Sequence, residues 1–264
     1  YLSGQPRRLR LAQPTGLNEA ECVAFGPDGT TAATGNKDGE IRLWDLNTQT
    51  ERTMWTVEDV IIYDCAFTSD GSMLVTGGSR NRIDVWDPAT GEAIKTYESA
   101  SYDTYSLAVY PLNAPILVSG GNAEPPQVWD LAEGTELAAP AGHAFTVRAV
   151  AFSPDGENFA TGDNGGTVRL WTVASAQQGE PLSVFESPDS QIISLAYNPA
   201  STLIAAGYLD GMLRIWDISQ GQMVFETAAH SNWIGSLSWS PDGTRLYSAA
   251  LDGSLRVWAV GSGQ

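Results

Sequence analysis

Basic residues are scarce in this chain. Fourteen lysines and arginines stand against 31 aspartates and glutamates in 264 residues, a formal net charge of −17. Such a field repels phosphate backbones and acidic membrane surfaces, so nucleic acid is not expected as a partner. Cysteine is nearly absent. Cys22 and Cys65 are the two present, read as far apart in the pattern of repeats described below. No disulfide is expected from them, which fits a reducing, cytoplasmic compartment. No Cys/His set has the spacing of metal ligands, so neither metal nor cofactor is expected. Long apolar runs are missing too. None approaches the roughly 18 residues of a membrane span, and no membrane insertion is expected. The start, Tyr1 to Arg8, has neither the apolar core of a secretory signal nor an initiator Met. The expectation is a chain trimmed or cut from something longer. No Gly-rich phosphate loop precedes a helix, and no helix is evident.

What is present is periodic tryptophan. Trp44, Trp86, Trp129, Trp171, Trp216 and Trp258 follow one another at 42, 43, 42, 45 and 42 residues. Each ends an alternating run, such as Ile41-Arg42-Leu43-Trp44 or Leu255-Arg256-Val257-Trp258. Alternation of this kind reads as a strand with one more buried face. Ten residues before each Trp stands a small residue: Thr34, Thr76, Ser119, Thr161, Ala206 and Ser248. A third run lies further upstream, as in Val150-Ala151-Phe152. Turn signals such as Pro154-Asp155-Gly156 separate it from the second. A weaker fourth segment follows each Trp but the last. Four short strands per unit of about 42 residues predict propeller blades, which bury their faces only by stacking on one another.

Six in-phase copies with Trp-Asp pairs at Trp44-Asp45, Trp86-Asp87, Trp129-Asp130 and Trp216-Asp217 resemble the WD-repeat (WD40) family over nearly the whole chain. The wording Ala151-Phe152-Ser153-Pro154-Asp155-Gly156 is similar to bacterial members, in which the propeller is often one module of a longer protein. The resemblance implies an all-β fold. Residues 1–264 form one propeller of six four-stranded blades. Its ring is closed by an N-terminal strand within 7–12 that completes the C-terminal blade. Family members usually close with seven blades, so a seventh blade elsewhere, or completion by a partner, remains open. Six-blade closure is favoured because the alternating segment Arg8-Leu9-Arg10-Leu11-Ala12 has no other evident use.

The family also implies a buried hydrogen-bond chain of Asp, His, Ser or Thr, and Trp in each blade, with every donor satisfied away from water. By phase, His230, Asp252, Ser248 and Trp258 make the complete set in the last blade. Elsewhere members are replaced: Gly16 stands at the first His position beside Asp38, Thr34 and Trp44. Gly165 stands at the fourth Asp position beside His143, Thr161 and Trp171. Ala206 stands at the fifth hydroxyl position, and Arg80 and Ala123 at the second and third Asp positions. Both histidines are thereby assigned to structure.

Partners of this family often sit on the top face, around the central channel. Carried over by phase, the positions include Ile61, Tyr63, Tyr105, Arg148, Ile193 and Trp233 at the starts of the innermost strands. Tyr208, Leu209 and Leu251 come from the turn before the third strand. The aromatic and aliphatic members make a candidate protein- or peptide-binding surface, led by Trp233. Arg148 is suited to a carboxylate or a phosphate. The expected function is a non-catalytic protein–protein interaction scaffold, alone or within a longer chain or complex. The alternatives are a structural subunit of a larger assembly, or a propeller enzyme using carboxylates such as Glu19 and Glu21 at the channel mouth. The enzyme reading is weak, because no Ser/His/Asp or Cys/His set converges outside the structural network.

Overall fold

The computed structural model describes residues 20–100, 102–112, 114–122, 125–187 and 190–260. The closing strand expected within 7–12, Gly16, Glu19 and Ala123 lie outside them. Six antiparallel sheets follow one another along the chain. The first holds β1 (Ala20–Phe25), β2 (Thr31–Asn36), β3 (Glu40–Asp45) and β4 (Thr50–Thr56). The second holds β5 (Ile62–Phe67), β6 (Leu74–Gly78), β7 (Arg82–Trp86) and β8 (Ala93–Glu98). The third holds β9 (Thr104–Val109), β10 (Ile116–Gly121), β11 (Gln127–Asp130) and β12 (Thr135–Ala138). The fourth holds β13 (Val147–Phe152), β14 (Phe159–Asp163), β15 (Thr167–Trp171) and β16 (Ser183–Glu186). The fifth holds β17 (Ile192–Tyr197), β18 (Leu203–Tyr208), β19 (Met212–Asp217) and β20 (Gln222–Ala228). The sixth has, among the described residues, three strands, β21 (Ile234–Trp239), β22 (Arg245–Ala250) and β23 (Leu255–Ala259). One short helix, α1 (Val173–Gln178), interrupts the pattern after β15. Thr172 caps it, and Gly179 ends it in the left-handed region at φ 74°. The sequence showed no helix there because six residues are too few to display a 3.6-residue period.

The sheets pack face to face in chain order, each first strand lying on the next: β1 on β5, β5 on β9, β9 on β13, β13 on β17 and β17 on β21. The third strand of each sheet supplies the apolar filling against its successor. Ile41 and Leu43 pack with Ile62, Leu74 and Trp86, and Val168 and Leu170 with Ile192, Ile204 and Trp216. Aromatic side chains of a fourth strand then cover the next sheet's Trp, as Trp55 does for Trp86 and Phe185 for Trp216.

Among the described residues the row does not close, since β21 and β1 do not pack as the other first strands do. Its ends show this side chain by side chain. Phe25 is 67% exposed, whereas Tyr197 at the same phase is 7% exposed. Leu255 and Val257 are 65% and 51% exposed, whereas Val168 and Leu170 are buried.

The two cysteines correct the expectation made for them. Cys22 of β1 and Cys65 of β5 form a disulfide across the first blade seam, with Cα atoms 5.9 Å apart. Their separation of 43 residues is about one repeat, which places them on neighbouring sheets rather than far apart. Closing a loop of that length contributes about 2–4 kcal/mol. The reducing, cytoplasmic compartment expected from unpaired cysteines loses that support.

Candidate functional site

Every first strand carries an irregularity near its start, and this positions the candidate face. The register against the second strand slips between Ala20 and Cys22, Ile62 and Asp64, Thr104 and Ser106, Val147 and Ala149, Ile192 and Ser194, and Ile234 and Ser236. The residues passed over are Glu21, Tyr63, Tyr105, Arg148, Ile193 and Gly235, one per blade. A bulge leaves its residue outside the ladder and re-aims the side chain. The row of residues picked by phase is therefore a row of bulges, a cause that repeat spacing does not reveal.

The turn before the third strand closes onto the same end. Ser79, Asn122, Asn164, Leu209 and Leu251 donate their backbone N–H to the carbonyls of Ile61, Asp103, Thr146, Gln191 and Trp233, at 2.9–3.2 Å. The structure thus brings Leu251 to Trp233, Leu209 to Gln191 beside Ile193, and Ser79 to Ile61. Leu209 and Leu251 are exposed, and Trp233, Ile193 and Ile61 are half-buried. Phe145, which sequence reasoning missed, is 57% exposed in the fourth blade, two residues before β13. A Cβ at Gly165 would collide with its ring, which accounts for glycine at that position.

Three bulge residues of adjacent blades form a stack. The rings of Tyr63 and Tyr105 lie 5.1 Å apart, and the Arg148 guanidinium sits 4.3 Å from the Tyr105 ring centre. The Tyr105 hydroxyl donates to Asp103 Oδ2 at 3.2 Å, and Asn122 Nδ2 donates to the same oxygen at 2.8 Å. Burial, then the Asp103 carboxylate, raises both tyrosine pKa values above the ordinary range. Neither phenol ionises near neutrality. The two rings offer neutral aromatic surface beside the Arg148 guanidinium.

Tyr208 is not part of this face. Its side chain is fully buried, packed under the Arg214 guanidinium at 4.5 Å, and burial pushes its phenol up to about 12. It ends β18, two residues beyond Ala206, where alternation points it into the blade. Phase placed the residue at the right height but on the wrong side.

The bonded network differs from the expected set in one blade. In the sixth, His230 Nε2 lies 2.7 Å from Ser248 Oγ and its Nδ1 lies 3.0 Å from Asp252 Oδ2. Trp258 donates to Ser248 Oγ at 2.9 Å. The fourth blade is complete as well, through Asp163 rather than position 165. His143 Nδ1 lies 2.6 Å from Asp163 Oδ2, its Nε2 lies 2.6 Å from Thr161 Oγ1, and Trp171 donates to that hydroxyl at 2.9 Å. Asp163 ends β14, and its other oxygen takes the Gly165 and Thr167 amides. The acid has moved two residues back along the chain and reaches the same histidine. Indole N–H can only donate, so Thr161 passes its proton to Nε2 and His143 keeps one on Nδ1 for Asp163. Burial lowers the His143 pKa despite the carboxylate. Burial raises that of Asp163, but the bonds from His143 and the two amides outweigh it and hold it low.

Both histidines are thus engaged, and among the described residues no group of three His, Cys, Asp or Glu could hold a metal ion. No helix among them is long and apolar enough to cross a membrane. A further acid, the half-buried Asp64, follows the Tyr63 bulge and accepts the Cys65 and Leu107 amides at 2.8 and 2.7 Å. Burial raises it to about 6 against those bonds. Its bond to Leu107 ties the second blade to the third, at the depth where the disulfide ties the first to the second.

The repeats have matches among known proteins. Residues 139–264 match the NUP159/214 beta propeller model, and residues 18–45 and 53–87 match the WD domain, G-beta repeat. The chain is 26% identical over 222 residues to the guanine nucleotide-binding protein subunit beta of Oryza sativa subsp. indica, covering 76% of this chain and 58% of that one. It is 23% identical over 208 residues to periodic tryptophan protein 2 of Arabidopsis thaliana, covering 78% of this chain and 23% of that one. It is 28% identical over 183 residues to eukaryotic translation initiation factor 3 subunit I of Culex quinquefasciatus, covering 64% of this chain and 56% of that one. The chain therefore spans little more than half of the relatives it matches best in length. The six antiparallel sheets, the Trp-to-hydroxyl bonds and these matches together support membership of the WD-repeat β-propeller family, with WD40 repeats in the chain.

Proposed function

We propose that this chain is a non-catalytic interaction scaffold that binds a protein or peptide on the top face, where the bulges and third-strand turns meet. The observation that carries this reading is the exposed apolar surface there: Leu209, Leu251 and Phe145, with Trp233 and Ile193 half-buried. Large apolar side chains on a rigid rim are the usual makeup of a binding hot spot. Ile61, Tyr63, Tyr105 and Arg148 extend the face, and the net charge of −17 favours a basic or neutral partner over nucleic acid. The set His230, Ser248, Asp252 and Trp258 is structural in this reading, as is its counterpart in the fourth blade. The test is Trp233→Ala in a pull-down from native extract with mass identification. Binding is lost while the melting temperature stays nearly unchanged; retained affinity would sink the proposal.

The ring is part of the same proposal. Residues 1–264 form one six-bladed propeller, with the segment within 7–12 as fourth strand on the bare edge of β23. In the other blades, five or eight residues separate a fourth strand from the next first strand, and Ala12 to Ala20 leaves seven. A groove of about 520 Å³ beside that edge, lined by Val224, Phe225, Ile215 and Trp258, suits its leucines. A second reading, a structural subunit of a larger assembly, draws on the uncovered end faces and on two relatives whose names describe subunits. The bacterial-type assignment rests on repeat wording alone, and the relatives named above are eukaryotic.

A further inference from the structure

We propose that Arg148 anchors the partner by receiving a carboxylate side chain that stands beside an apolar residue. This rests on the top-face reading and adds the chemistry of the partner. Acids outnumber bases more than two to one, and among the described cations those that make no ion pair, Arg148 apart, are the exposed Arg52, Lys95, Arg245 and Arg256. Lys37, Arg42, Arg80, Arg82, Arg169 and Arg214 each lie within 4 Å of a carboxylate. Arg148, half-buried, makes no ion pair and no hydrogen bond among the described residues. Its guanidinium lies over the ring of Tyr105.

That arrangement is an organised donor. With its carbon over the ring and no hydrogen bond among the described residues, the guanidinium keeps its N–H donors for a ligand, a fork that matches a carboxylate with two parallel bonds. The bulge fixes the backbone of Arg148, and Tyr63 fixes the ring on which it lies. Less side-chain entropy is lost when an anion docks there. The setting selects against a dianion. Asp103 stands at the Tyr105 hydroxyl, and the whole chain is strongly acidic, so a phosphate meets more repulsion than a single carboxylate. Phe145 and Ile193 supply exposed and half-buried apolar surface on the fourth and fifth blades, which places the apolar neighbour.

The test uses the whole chain and three twelve-residue peptides in a Gly-Ser frame, studied by calorimetry at low salt. Their centres are Leu-Glu-Leu, Leu-Gln-Leu and Leu-phosphoserine-Leu. The Glu peptide binds about tenfold tighter than the Gln peptide, the worth of a charged hydrogen-bonded pair, and tighter than the phosphoserine peptide. Arg148→Ala abolishes the Glu-over-Gln preference, and Arg148→Lys retains part of it, with unchanged melting in both. Equal binding of Glu and Gln, tightest binding of phosphoserine, or no binding of the Glu peptide at millimolar concentration overturns the proposal. Equal Glu and Gln affinities that both fall in Trp233→Ala would leave the face standing and remove Arg148. Insensitivity to both variants would remove the two together.

Discussion

The fourth and sixth blades carry the same four-residue network and differ in almost everything around it. In the fourth, the sheet has four strands, the acid comes from the end of β14, and the His143 and Asp163 side chains are 1% and 2% exposed. In the sixth, the sheet has three strands among the described residues, and the acid comes from the turn at 252. The Val257 and Leu255 face is open to solvent where Val168 and Leu170 are sealed. A hydrogen-bond chain forms wherever its residues meet. How much it contributes depends on the neighbouring sheet, because burial decides what an unmade bond costs.

The largest effect tests the seal itself. Leu170→Ala costs about 3 kcal/mol in denaturant unfolding, as expected for a leucine removed from a packed seam. Closure through residues within 7–12 requires Val257→Ala to cost about 2 kcal/mol in the whole chain. That cost should fall close to zero when 7–12 are replaced by Gly and Ser. A cost near zero in the intact chain leaves the row open and refutes the closure.

The networks come next. Asp163→Asn costs about 2 kcal/mol, since one of its two oxygens becomes an NH2 and either His143 or the Gly165 and Thr167 amides lose their acceptor. Asp252→Asn costs less than Asp163→Asn. It still lowers the melting temperature more than Asp38→Asn, because the Asp38 position has no histidine among the described residues to hold. Equal melting shifts for the last two would contradict the assignment of the network.

The smallest effect is in pH. His143 and Asp163 both have folded pKa values below their ordinary ones, so the unfolded chain binds the extra protons. Their contribution is full above about pH 6.5 and is lost as the solution is acidified, His143 first and Asp163 below about pH 4. Asp64, raised to about 6, acts oppositely: its contribution is present in acid and lost as pH rises through 6. Subtracting the melting curve of His143→Gln from that of the parent cancels the Asp64 part. The difference should shrink between pH 7 and 5, and a pH-independent difference would show that His143 stays unlinked.

Much of this comparison was legible beforehand. Strand number, blade phase and the Trp-to-hydroxyl spacing of ten residues follow from periodic tryptophan, because each blade repeats one packing problem. Leu209, Leu251 and Trp233 lie at the rim end of their blades for the same reason. The errors have a common origin. Phase assigns a residue to a height in the blade, not to a side of the strand, so Tyr208 was placed on the surface though it points inward. Phase also assumes one address for each role, so Asp163 was missed when the acid moved two residues. The cysteine pair escapes a reading by repeats, because Cys22 and Cys65 meet across a seam between two of them.

By itself, then, the sequence determined the repeat, the strand pattern, the acidic field and the residues available for a bonded network, all of them properties of spacing and composition. Only the tertiary structure decided that Cys22 meets Cys65, that six bulges present one residue each, and that Arg148 lies over Tyr105 with no ion pair among the described residues. Those are contacts between blades, and a pattern that repeats every 42 residues or so is silent about which members of successive repeats touch.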